Sequence, residues 1–284
     1  MPLASPIPDS ASATATDAVD TQGVLAVIPA RLAATRLPRK PLRLLGGLPL
    51  IVRVYRRVAS LAVAQSVVVA TDHEEVAQAC REYAVPVAMT SPDHPSGTDR
   101  IAELARQNEF ARFNVFLNVQ GDEPFISREA VLGAVKIVVS GTAPIGTAAM
   151  PADVAVLAQP DVVKVVSTDA GLALYFSRAA IPFLRNDSDT LALAGAVRQH
   201  IGVYAYSRQA LLSWVAWPPH PLELIERLEQ LRPLAHGLQI GVAQVSATGS
   251  APGGIDTEED LKAANAYWDS MPGAQITPAH QYSL

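Results

Sequence analysis

Residues 24–42 read VLAVIPARLAATRLPRKPL. The opening VLAVI is an unbroken apolar run of strand length that ends at Pro29. Four cations follow within ten residues: Arg31, Arg36, Arg39 and Lys40. Open α/β sheets bind ligands beyond the carboxyl ends of their strands, and clustered Arg and Lys neutralise phosphate there. The stretch has neither the G-x-G-x-x-G of a dinucleotide site nor the G-x-x-x-x-G-K-[ST] of a P-loop. It suits a triphosphate held mainly by side chains; a solvated surface loop is the competing reading.

The alternation continues outward. The spacing of Ile51, Val54, Tyr55 and Val58 predicts a helix over 50–62, followed by an apolar strand over 66–70. Asp72 is the expected N-cap of the next helix, with Glu75 three positions on. Strands at 86–89, 114–119 and 145–150 alternate with helices over 98–107 and from 127. This order predicts an α/β fold, a mostly parallel sheet covered by helices on both faces. From Pro151 the pattern changes. Runs at 162–167 and 172–176 flank TDAG as a hairpin, 185–195 reads as a flexible loop and 200–206 as a strand. A helix from Pro221 to about Leu231, a strand at 240–245 and a last helix from about Thr257 complete the reading.

Composition excludes several classes. The 284 residues are 49% hydrophobic and 17% charged, which suits a globular core. A net charge of −5 argues against a general nucleic-acid binder. No apolar run approaches the roughly 20 residues of a membrane helix, so membrane insertion is not expected. The single cysteine, Cys80, cannot form an internal disulfide, which fits a reducing compartment; it reads as a small buried residue. Residues 1–22 lack Lys, Arg and the apolar stretch of a secretory signal. They are expected to be a disordered tail, with 271–284 a second tail and 23–270 a single domain.

Polar clusters fall at three strand ends. In SPDHPSGTDR (91–100), Gly97 permits close backbone approach while Ser96, Thr98 and Arg100 supply donors; an ordinary helix start explains the cluster equally well. His94 has no zinc-like partner spacing. In NVQGDEPFI, Asp122 and Glu123 directly follow a strand. A hard carboxylate there, facing phosphate-binding cations, is a natural Mg²⁺ ligand; a Gly-Asp turn is the alternative. Asp256 in GGIDTEED offers a second carboxylate, or an N-cap. Arg178 suits a carboxylate or the surface. His200 and Tyr204 bracket a strand, a core pair being the plainer reading. Glu226, Glu229 and Gln230 have the spacing of a solvated helix face.

In order, IPARLAATRLPRKPL, VVVATDHEEVA, HPSGTDR, NVQGDEP, VKVVSTDAGLALYFSRAAIPF, HIGVYAY, PLELIERLEQLR and GIDTEEDL resemble the 3-deoxy-D-manno-octulosonate (KDO) cytidylyltransferases over roughly residues 24–266. The resemblance implies a three-layer α/β/α sandwich of the nucleotide-diphospho-sugar transferase type. A β segment at about 151–206 would be added for dimerisation. It implies a cytoplasmic homodimer that joins CTP to KDO with Mg²⁺, giving CMP-KDO and pyrophosphate for lipopolysaccharide synthesis. Carried over by motif, Arg31, Thr35, Arg36 and Lys40 would bind the CTP phosphates, with Ser96, Gly97 and Arg100 on the nucleotide side. Asp122 and Asp256 would hold Mg²⁺, and with Lys40 form the catalytic set. Gln120, Arg178, His200, Tyr204, Glu229 and Gln230 would face KDO. Leu32, Ala34, Arg39 and Leu224 depart from the family's usual Tyr, Ser, Gly and His. The rival readings are the same chemistry on another acidic sugar, such as 8-amino-KDO, and a non-catalytic nucleotide-binding protein.

Overall fold

The computed structural model describes residues 21–33, 36–185, 196–246 and 251–271. β1 (Val24–Ala30) pairs in parallel with β4 (Ser66–Thr71) on one side and β6 (Val115–Asn118) on the other. β5 (Val87–Met89) extends the sheet beyond β4. Beyond β6 lie β10 (Arg198–Ser207), β7 (Ile145–Pro151) and β11 (Ile240–Gln244). The order is β11-β7-β10-β6-β1-β4-β5, with β10 antiparallel to both neighbours and the other pairings on this path parallel.

β1 shows why the layers form. Val24, Ala26, Ile28 and Ala30 face one hydrophobic core, and Leu25 and Val27 the other. The first core is closed by α1 (Leu50–Ser60), α2 (Glu74–Glu82), α4 (Arg128–Val139) and α8 (Glu258–Ser270). The second is closed by α3 (Gly97–Arg106) and α5 (Arg208–Ala216), whose Trp214 is 2% exposed. Each buried Val, Leu or Ile side chain contributes about 1.5–3 kcal/mol, so a run apolar on both faces is held only between two helical layers.

Three expectations change. His73, not Asp72, caps α2, its Nδ1 accepting from Glu75 N–H; Asp72 instead lies 3.3 Å from Arg100 Nη2. The helix expected from Pro221 to Leu231 is two short ones, α6 (Pro221–Glu226) and α7 (Leu231–Ala235), broken where Arg227 turns left-handed at φ 55°. That turn buries Leu228 and lets Arg232 grip Glu223 with two bonds of 2.8 and 2.6 Å. Finally, β10 does not belong to a separate segment. Its C-terminal half threads the main sheet between β6 and β7. Only the hairpin of β8 (Lys164–Ser167) and β9 (Ala173–Ser177) hangs off it, through Gln199 opposite Lys164. Residues 186–195 and the tails 1–20 and 272–284 lie outside the described residues. Among the described residues no helix is long and apolar enough to cross a membrane.

Candidate active site

The loops after β1, β5 and β6 and the turn before α8 surround three adjoining hollows. The first, about 360 Å³, is lined by Arg31, Arg36, Lys40, Gln120, Asp122 and Asp256. The second, about 220 Å³, is lined by Arg31, His94, Ser96, Gly97, Arg100, Gln120 and Glu229 among others. The third, about 400 Å³, holds Gln120, Arg178, His200, Tyr204, Glu229 and Gln230. Gln120 lines all three. The carried-over site residues therefore line one cleft, save Thr35, which is outside the described residues.

Lys40 organises the first hollow. Its Nζ donates to Asp122 Oδ2 at 2.6 Å and to Asp256 Oδ1 at 2.9 Å, and Arg36 Nη2 donates to Asp256 Oδ2 at 2.8 Å. Burial alone would lower the Lys40 pKa; the two aspartates outweigh it and raise it, so the ammonium stays charged. Glu123, beside this pair, is pushed up to about 7 by burial first and then by Asp122 and Asp256. The α8 capping box, Thr257 with Asp260, holds the turn that presents Asp256, whose own N–H donates to Asp260 at 3.0 Å. Gly121 is required on the other side, since a Cβ there would lie 2.9 Å from the Pro29 carbonyl oxygen.

The donor set can be tested for a cation. Two carboxylates converge on one atom, the Lys40 Nζ, so their oxygens already surround a point of positive charge. Hard oxygen ligands, two from protein and the rest from phosphate and water, are what Mg²⁺ takes in phosphoryl-transfer sites. The residues fit such an ion.

Arg39 has a φ of 58°, a left-handed conformation that glycine adopts freely. Here the arginine side chain reaches across to Glu75 on α2. Gly97 packs on Pro29, where a Cβ would come within 3.1 Å of its Cγ. Ser96 caps α3 through Asp99 N–H and donates to Asp99 at 2.8 Å. Arg100, 4% exposed, engages Asp72, Thr90 and the Ser91 carbonyl. It braces this wall of the second hollow more than it offers free donors.

In the third hollow, Ile201 pairs with Ala148 but Tyr204 with Thr147, so β10 bulges at residues 202–203. His200 and Tyr204 both face the cleft across this bulge. The Thr147 hydroxyl has one proton, best given to the Val203 carbonyl at 2.7 Å. His200 Nε2, 2.9 Å from Thr147, is then the donor, and Nδ1 is an acceptor. Burial lowers the His200 pKa to about 3, so the ring is neutral. The Tyr204 hydroxyl is buried and has no partner that meets hydrogen-bond geometry among the described residues, with Thr147 its polar neighbour.

Arg178 is anchored by the Glu226 and Pro160 carbonyls at 2.9 and 3.0 Å. Glu226 is no solvated residue: it accepts from Ser177 Oγ at 2.6 Å and Arg178 N–H at 2.9 Å. Lys164, fully buried, ties the same corner through the Gln159, Val162 and Arg178 carbonyls. Glu229 takes a bond from Thr98 Oγ1 at 3.1 Å and opens to cleft solvent on its other side; crowding by protein raises its pKa. One residue of this network escaped sequence reading. Asn118 donates to the Tyr206 hydroxyl at 3.4 Å and accepts from Gln120 at 3.4 Å, building a buried chain to the cleft. A lone amide in the apolar run NVFLNV was the available signal.

The Cytidylyltransferase family model matches residues 25–240. A 3-deoxy-manno-octulosonate cytidylyltransferase of Gemmatimonas aurantiaca is 69% identical over 251 residues, 88% of this chain and 96% of that one. One of Herminiimonas arsenicoxydans is 47% identical over 85% of this chain and 97% of its own. A solved CMP:2-keto-3-deoxy-manno-octonic acid synthetase complexed with CTP superposes with a TM-score of 0.79 at 36% identity, over 87% of this chain and 98% of that one. A 4-diphosphocytidyl-2C-methyl-D-erythritol synthase from Anaerococcus prevotii, 16% identical with a TM-score of 0.58, shares the fold alone. On the geometry of the cleft and these matches together, the chain belongs to the 3-deoxy-manno-octulosonate cytidylyltransferase family.

Proposed function

We infer that the chain activates KDO, transferring CMP from CTP to the sugar's anomeric hydroxyl and releasing pyrophosphate. The observation that carries this is the convergence of Lys40, Arg36, Asp122 and Asp256 in one hollow that adjoins, through Gln120, a hollow suited to an acidic sugar. The anomeric oxygen attacks the α-phosphorus of CTP. An O–P bond forms, the bond to the α,β-bridging oxygen breaks in line, and the hydroxyl proton is lost to solvent. Such transfer depends chiefly on positioning and charge neutralisation.

Arg31, Arg36 and Lys40 hold the phosphates, and Lys40 leaves the aspartates for the triphosphate when the nucleotide enters. Asp122 and Asp256 would hold Mg²⁺, which when bound would supply Lewis-acid chemistry at the phosphates. Ser96 and Gly97 shape the nucleotide wall, which Arg100 braces. Arg178 presents its guanidinium to the KDO carboxylate, while His200 Nδ1, the Tyr204 hydroxyl, Glu229 and Gln230 take sugar hydroxyls. Lipopolysaccharide synthesis uses such a product, which fits a cytoplasmic enzyme, and the exposed Leu174, Leu222, Leu224 and Ile225 fit a homodimer. Incubating the chain with CTP, Mg²⁺ and KDO should release one pyrophosphate per CMP-KDO formed. Release without sugar, or none with KDO but some with another acidic sugar, would refute the KDO assignment.

A further inference from the structure

A cavity of about 490 Å³ lies between α1, the segment after Asp122 and the end of α8, and shares no lining residue with the cleft above. Phe125, Tyr267 and Trp268 form an aromatic wall, Phe125 meeting Tyr267 edge-on at 5.0 Å and Trp268 at 6.4 Å. Arg53, Arg56 and Arg57, from one turn of α1, line the same space. Arg53 lies over the Trp268 ring, 3.9 Å from its centroid, and is fixed by the Leu45 and Gly46 carbonyls. Arg57 donates to the Ile126 carbonyl at 2.9 Å.

The charges are unbalanced. Arg36, Arg39, Arg43, Arg81, Arg100 and Arg232 each have a carboxylate partner. Arg53, Arg56 and Arg57 have none among the described residues. Neighbouring like charges oppose one another on a helix, and burial followed by the Arg56 charge pushes Arg53 down to about 10. An anion would relieve that repulsion, and a flat ring would cover the aromatic wall.

The geometry points to a second ligand site here, for a small organic anion: an aromatic or heterocyclic ring bearing a phosphate or carboxylate. The ring packs among Phe125, Tyr267 and Trp268, whose planes are mutually inclined, and the anionic group meets Arg56 and Arg57. The Arg fork matches both oxyanions.

Isothermal titration of the full chain with 1-naphthyl phosphate, under saturating CTP, tests this. One saturable site is expected. Naphthalene-1-methanol and inorganic phosphate, each keeping half of the contacts, should bind at least about tenfold more weakly. Arg56→Gln, which disturbs no backbone bond, should weaken the probe about tenfold; Arg56→Gln/Arg57→Gln should weaken it further, with CTP turnover near wild type. No saturable heat under CTP, unchanged affinity in Arg56→Gln, or equal affinity for the neutral alcohol overturns the site.

Discussion

Lys40 Nζ lies 2.6 Å from Asp122 Oδ2 and 2.9 Å from Asp256 Oδ1, so one cation joins the loop after β6 to the turn before α8. Asp122→Asn keeps the shape but removes a charge from the proposed metal-binding pair. Turnover should fall by at least about a hundredfold, with the thermal midpoint within a few degrees of wild type. A purified variant of near-normal rate would remove Asp122 from the reaction.

The proposed role of Arg178 distinguishes the two substrates. Arg178→Ala should raise the apparent KM for KDO at least about tenfold, as loss of a charged hydrogen bond implies, with the KM for CTP nearly unchanged. Because Arg178 also ties the Pro160 and Glu226 carbonyls, a melting curve belongs beside the kinetics. An unchanged sugar KM would place the carboxylate elsewhere.

His200 gives a pH signature. Its folded pKa is about 3, below the ordinary value of 6.5, so between these limits the unfolded chain binds more protons than the folded one. Its contribution to stability is present above 6.5 and is lost as pH falls toward 3, by at most about 1.4 kcal/mol per pH unit. Denaturant midpoints measured at pH 7.5 and 5 should fall less in His200→Gln than in wild type. Equal falls would mean that the ring titrates freely.

Glu223 and Arg232 form a buried bidentate pair that folds the α6–α7 corner over the sugar side of the cleft. Glu223→Ala leaves the guanidinium buried and unpaired, costing about 3–5 kcal/mol. It should also raise the KDO KM by displacing Glu229 and Gln230. Stability within about 1 kcal/mol of wild type would show that solvent rescues the arginine.

Much of this was readable from local pattern. SVVVA announced a strand buried on both faces because it is nearly all apolar, VLAVI announced a strand, and three loops at strand ends marked the cleft. The break at Arg227 was not readable, because nothing local in LIERLEQL tells a continuous helix from a turn; the distant pairing of Glu223 with Arg232 and burial of Leu228 decide it. The place of β10 was hidden for a similar reason, since HIGVYAY fixes a strand but not its neighbours. In the site, Arg31, Lys40, Asp122 and Asp256 stood out as charges at strand ends or turns. Asn118 did not, because its role depends on Tyr206 and Gln120 across the sheet. Glu226 was read as solvated because spacing alone cannot show that Ser177 and Arg178 come to meet it.

The most direct test of the central claim is a crystal structure with CTP and Mn²⁺ in place of Mg²⁺. An anomalous peak within bonding distance of both Asp122 and Asp256, with the triphosphate against Arg31 and Lys40 and Lys40 withdrawn from the aspartates, is the predicted result. A nucleotide bound with its phosphates away from these four side chains, or no metal between the aspartates, would contradict it.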